Sequence, residues 1–128
     1  MSDLANIDIS GGGDGVIVAR VRGDLDLSNL HAVHTALLDT VPNDAFGLVV
    51  DLAQVEFLDS SGVETLFRLQ RSLQVRQHRF AIAIPAGAPI RRALDLSGAQ
   101  GELLICSSVT EALDGLRAPP EQGAQQVG

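Results

Sequence analysis

Two adjacent hydroxyls, Ser60 and Ser61, stand between an acid and a glycine in Asp59-Ser60-Ser61-Gly62. The run ahead of them, Leu48-Val49-Val50-Asp51-Leu52 through Phe57-Leu58, is apolar at its start, and Val63, Leu66, Leu69 and Leu73 follow at helical spacing. An apolar run without alternation is the pattern of a strand covered on both faces. A buried strand therefore passes through a short loop into a helix, and both hydroxyls sit at the helix N-terminus. Such an end has unpaired N–H groups and a partial positive charge, so it can accept an anion. Ser61 with Glu64 three residues on reads as a capping box, which accounts for one serine without any chemistry. Ser60 is left over.

A nucleophilic serine needs a base in reach, and the G-x-S-x-G elbow is absent. The candidate bases are His31, His34 and His78. His31 and His34 lie three apart on a predicted helix, one facing solvent and the other flanking the apolar face, while His78 falls in the polar turn Arg76-Gln77-His78-Arg79. A metal held by His31 and His34 lacks an evident third ligand. The chain contains no lysine, so there is no Walker site, and no helix follows Gly11-Gly12-Gly13-Asp14-Gly15, which reads as a turn rather than a phosphate cradle. No catalytic residue, metal or cofactor is assigned. The acids Asp24, Asp26, Glu56, Asp59 and Glu64 carry more information. A charge run is ordinarily a solvated rim, but these acids fall in two segments expected to share an edge with Ser60. An acidic rim around an exposed serine suits docking onto a basic protein surface.

The elements that must position these residues follow from the pattern of the 128 residues. Residues 4–9 read as a short, partly exposed strand, joined through the glycine-rich turn to a second strand, Val16–Arg22. Gly23–Ser28 breaks that strand and opens a helix with Asp26 or Ser28 as N-cap, and Leu30, Val33 and Leu37 form its buried face. Pro42-Asn43-Asp44 closes it. The central strand and the Ser60 helix come next, with Glu64 and Arg68 paired at i,i+4. Phe80–Ile84 is a strand stopped by Pro85, and a brief helix over Pro89–Leu96 ends at Gly98. Glu102–Cys106 is a final strand, and Ser108-Val109-Thr110-Glu111 is a capping box opening the last helix. Strands alternating with helices call for an α/β fold with a mostly parallel sheet, and the opening hairpin adds an antiparallel edge. Ligand and partner sites in such sheets lie beyond the strand C-termini, where the segments around Asp24 and Asp59 emerge.

Composition sets the outer limits. Sixteen acids against nine bases, all arginine, give a net charge of −7, which argues against nucleic acid as a partner. With 45% hydrophobic residues, four Phe and no Trp or Tyr, the core must be built from Leu, Val, Ile and Ala. Cys106, the sole cysteine, excludes an intramolecular disulfide and reads as a buried strand residue. No apolar run approaches membrane-spanning length and no basic-then-apolar leader opens the chain, so the expected location is the cytoplasm, with no membrane partner. The length fits one domain, residues 1–117, with residues 118–128 as a disordered tail.

Three segments then resemble one family. Gly23-Asp24-Leu25-Asp26 is similar to the Gly-Glu-Leu-Asp signature of STAS-domain anti-sigma factor antagonists. Val49-Val50-Asp51-Leu52 through Asp59-Ser60-Ser61-Gly62-Val63 resembles that family's strand–Asp-Ser-Ser-Gly–helix segment, and Leu94-Asp95-Leu96-Ser97-Gly98 its later Leu-x-x-Ser-Gly turn. The resemblance covers roughly residues 4–117. It implies a STAS fold, a mixed and mostly parallel sheet with an N-terminal hairpin and about four helices. It also implies partner switching in transcription regulation and the stress response. The unphosphorylated antagonist binds an anti-sigma factor, itself a serine kinase of the histidine-kinase-like ATPase fold, and so frees a sigma factor. The kinase phosphorylates the serine after the motif Asp, here Ser60, and a metal-dependent serine phosphatase reverses it. Carried over by position, Ser60 is the phospho-acceptor, and Asp24, Asp26, Asp59, Ser60, Ser61, Gly62 and Glu64 form the partner-binding set. Asp24 replaces the usual Glu, and Glu64 stands where a small residue is common. A carboxylate one turn from Ser60 could hinder ATP phosphates or tune partner choice. The alternative is a non-phosphorylated STAS scaffold in a sensory or lipid-transport complex.

Overall fold

The computed structural model describes residues 6–25, 29–96 and 102–117. The elements run β1 (Asn6–Gly13), β2 (Val16–Leu25), α1 (Leu30–Asp39), β3 (Gly47–Leu58), α2 (Ser60–Val75), β4 (Arg79–Ala83), α3 (Pro89–Leu96), β5 (Ile105–Cys106) and α4 (Val109–Arg117). The strands form one sheet in the order β1-β2-β3-β4-β5, with β1 antiparallel to β2 and every other pair parallel. This is the mixed α/β architecture expected from the alternation of strands and helices.

That order dictates where the helices go. Parallel neighbours joined in sequence by right-handed crossovers place all their connecting helices on one face. Accordingly α1, α2 and α3 bury Leu30, Val33 and Leu37, then Val63, Leu66, Leu69 and Leu73, then Ile90 and Leu94, against Val21, Leu48, Val50, Leu52, Phe80 and Ile82. Among the described residues α4 alone covers the opposite face, where Ala112 and Leu116 meet Val16, Val18, Val49 and Ala81. Beyond the reach of α4 that face turns polar. Asp51, 6% exposed, accepts from Arg20 Nε at 3.1 Å and from the Ala53 amide at 2.9 Å, and Arg22 pairs with Asp8.

Several boundaries differ from the sequence reading. β1 runs on to Gly13, so the connection shrinks to Asp14-Gly15, both with positive φ (57° and 81°). Two left-handed residues match the right-handed twist of the flanking strands, which is why Asp-Gly suits a two-residue hairpin. β2 does not break at Gly23; it continues through Asp24 to Leu25, held by the parallel pairs Gly23↔Val55 and Leu25↔Leu58. The N-cap of α1 is Asn29, whose side chain makes no capping bond and instead donates to the Asp24 carbonyl at 2.8 Å. β5 is only two residues long. α4 is capped as expected at Ser108, whose hydroxyl accepts from the Glu111 amide at 3.1 Å. The return bond from Glu111 reaches Ser107 N, at 3.0 Å. Ser28, Gly98 and residues 118–128 lie outside the described residues.

Candidate functional site

The register Leu25↔Leu58 brings the ends of β2 and β3 side by side, so Asp24 and Asp59 share one edge of the sheet. Asp26 lies outside the described residues. Asp59 is the N-cap of α2: its backbone is extended (φ −94°, ψ −175°), and its Oδ1 accepts from Gly62 N at 2.9 Å. Its carbonyl accepts the first helical bond, from Val63 N at 3.1 Å. Asp59, not Ser61, is therefore the N-cap of α2, and the Ser61–Glu64 capping box of the sequence reading does not form. A carboxylate cap also places negative charge on the positive end of the helix dipole.

With the cap supplied by Asp59, the serines occupy the first two helical positions and diverge. Ser60 is exposed, whereas Ser61 is half-buried, with its carbonyl accepting from Thr65 Oγ1 at 2.9 Å. Gly62 is buried, and a methyl group there would lie 2.3 Å from Leu58 Cδ1 and 3.5 Å from the Leu25 carbonyl. The absence of a side chain at Gly62 is what lets the first turn of α2 press against the ends of both strands.

Ser60 and Ser61 line separate grooves. Between α1 and α2, Ser61 shares a groove of mixed character with Leu30, His31, His34, Glu64, Thr65 and Arg68. His34 Nε2 is buried there with no hydrogen-bond partner among the described residues, and burial, followed by the nearby Arg68 and His31, lowers its pKa below 6.5. Between α2 and α3, Ser60, Asp59 and Glu64 edge an apolar groove of about 530 Å3 floored by Leu58, Val63, Phe67, Ala93 and Leu96. Glu64 is exposed and touches Arg68 at 3.6 Å, with both side chains more than half in solvent. Among the described residues, no group of three or more His, Cys, Asp or Glu is placed to hold a metal ion, and no helix is long and apolar enough to cross a membrane.

The sequence profile described as Mlab, STAS domain matches residues 12–106. Over 104 residues the chain is 30% identical to the anti-sigma-F factor antagonist RsfB of Mycobacterium tuberculosis, an alignment covering 81% of this chain and 84% of that protein. The chain belongs to the STAS-domain family of anti-sigma factor antagonists. The STAS fold is equally plain in solved structures. The crystal structure of an anti-sigma factor antagonist from Mycobacterium paratuberculosis superposes with a TM-score of 0.78 at 27% identity, covering 92% of this chain and 98% of that one. The Bacillus cell fate determinant SpoIIAA in its phosphorylated form shares the fold alone, with a TM-score of 0.58 at 20% identity, covering 88% of this chain and all of that one (100%).

Within this STAS chain the structure gathers Asp24, Asp59, Ser60, Ser61, Gly62 and Glu64 at one pole. Both grooves were missed in the sequence. His31 and His34 meet Ser61 only because α1 packs on α2, and Phe67 meets Ala93 and Leu96 only because α2 packs beside α3. The turn histidine is also not exposed: His78 is 4% accessible, with Nε2 donating to the Asn43 carbonyl at 3.2 Å. Cys106 is half-buried rather than buried, and burial, reinforced by Glu111, pushes its thiol pKa up.

Proposed function

We propose that this protein is a cytoplasmic, non-enzymatic antagonist that binds an anti-sigma factor while Ser60 is unmodified and releases it once Ser60 carries a phosphate. The anti-sigma factor supplies the kinase activity, and a serine phosphatase restores the binding form. The single observation that carries this reading is the separation of the two serines. Asp59 caps the helix, Ser60 is exposed on its first turn, and neither role depends on the other. SpoIIAA, which shares the fold, exists in a phosphorylated form.

Electrostatics explains how such a switch would work. A phosphoserine adds nearly two negative charges. The unpaired amides and dipole at the start of α2 tolerate that charge, so the fold stays intact. A partner surface matched to Asp24, Asp59 and Glu64 does not tolerate it, because like charges forced together in a contact cost several kcal/mol. Asp24, Asp59, Ser60, Ser61, Gly62 and Glu64, with Asp26, make up the proposed contact.

Glu64 favours a second reading, a STAS scaffold that is never phosphorylated. Its carboxylate is exposed and borders the same groove as Ser60, where the phosphates of ATP would have to approach. Incubation with the anti-sigma factor and ATP, followed by intact-mass measurement, separates the two. One added phosphate, abolished by Ser60→Ala, supports the switch. An unchanged mass supports the scaffold, and Glu64→Gly then tests whether the carboxylate is the obstacle.

A further inference from the structure

We propose that the groove between α2 and α3 is the anchor point of the partner, receiving one large apolar side chain from a segment of the anti-sigma factor that carries arginine or lysine beside it. The inference rests on the partner-binding reading of Ser60 and adds the chemistry of what docks there. The floor of the groove is wholly apolar: Leu58 and Val63 from the start of the site, Phe67 one turn along α2, and Ala93 and Leu96 from α3. Leu96 is 77% exposed at the groove's edge, well above Leu104 at 41%, so a large apolar side chain is left in water beside Ser60. Exposed apolar surface of this kind, rimmed by polar groups, marks an interaction site.

The rim identifies the occupant. Asp59 and Glu64 stand beside Ser60 at the mouth, and among the described residues no cation lines the groove. Arg91 turns inward to the Ile84 carbonyl at 2.7 Å and pairs with Asp95, and Arg68 meets Glu64 only through a solvent-exposed contact at 3.6 Å. A partner cation can replace Arg68 at little cost, since exposed pairs of this kind contribute little. An apolar anchor in a desolvated pocket with charges matched around it is the usual form of a binding hot spot. The arrangement also explains why one phosphate would suffice. Ser60 sits at the groove mouth, so a hydrated dianion there would keep water in the pocket that the anchor must dry.

Calorimetric titration of the purified anti-sigma factor against wild type, Leu96→Asp, Ala93→Leu and Ser60→Asp tests the anchor, with thermal melting of each variant to confirm folding. Leu96 is in solvent and Ala93→Leu fills the groove, so both variants are expected to melt near wild type and to lose about tenfold or more in affinity. A photo-crosslinker placed at position 96 is expected to label an apolar residue within one helical turn of an arginine or lysine. Three outcomes would overturn the proposal. In the first, Leu96→Asp and Ala93→Leu bind within twofold of wild type while Ser60→Asp does not bind, which leaves the Ser60 reading standing. In the second, the crosslink falls on a segment without basic residues. In the third, native mass spectrometry finds a small molecule on the purified protein that Ala93→Leu displaces, which assigns the groove to a ligand. Should Ser60→Asp bind like wild type while the groove variants fail, the anchor holds and the switch at Ser60 falls.

Discussion

Asp59 joins two roles in one carboxylate. Its Oδ1 holds the Gly62 amide at 2.9 Å, and its position beside Ser60 makes it part of the proposed docking rim. The first role can be measured alone. Asp59→Ala removes the cap and is expected to lower stability by about 1 kcal/mol in urea unfolding, whereas Ser61→Ala should cost far less. Equal losses would return the cap to Ser61. A second residue-scale prediction concerns His34, whose pKa is lowered below 6.5 by burial and by Arg68 and His31. Because the folded state resists protonating this ring, the unfolded chain binds more protons below pH 6.5. Stability should therefore fall as pH drops through that value, the penalty being complete once the pH lies below the folded pKa. The charged groups facing His34 from α2 across the groove are Arg68 and Glu64, and His31 neighbours it on α1. His34→Gln should flatten the dependence in urea titrations between pH 7.5 and 5.5, a range of about two units around an ordinary histidine pKa. An unchanged slope would assign it to other groups.

At the scale of elements, the central unit was legible because several signals agreed. The apolar run of β3, the helical spacing of Val63, Leu66, Leu69 and Leu73, and the polar start of α2 all point to strand, turn and helix. The extension of β2 through Gly23-Asp24-Leu25 was not legible, since glycine and aspartate are poor strand formers. The parallel partner β3 supplies the backbone hydrogen bonds, and pairing overrides local preference. The end of α2 was hidden for a similar reason. Arg76-Gln77-His78-Arg79 reads as a solvated turn, yet Gln77 N donates to the Gln74 carbonyl and His78 N to the Leu73 carbonyl. This is a Schellman closure, with Gln77 at φ 65° in the position where glycine is favoured. Gln77→Gly should relieve the left-handed strain and raise stability by roughly 1 kcal/mol, net of glycine's own entropy. A loss of stability in urea unfolding would show that the Gln77 side chain contributes more than its backbone costs.

At the scale of the whole molecule, the fold separates support from function. In-order parallel strands send α1, α2 and α3 to one face, and α4 packs on the other. The strand C-termini then present Asp24, Asp59 and Ser60 at one pole, backed by a core in which Leu48, Leu52, Leu69 and Ile82 are fully buried. The residues of this pole were legible in the sequence because each lies in a contiguous motif. The grooves beside it were not, since their walls come from helices far apart in the chain. A site mounted on a rigid frame of this kind can change its charge without changing its shape. Calorimetry of the purified anti-sigma factor with the Ser60-phosphorylated and unmodified protein tests it most directly, with circular dichroism of both forms recorded alongside. Superimposable spectra are expected, with an affinity lowered by about a hundredfold or more, as a few kcal/mol of like-charge repulsion requires. Equal affinities for the two forms would contradict it.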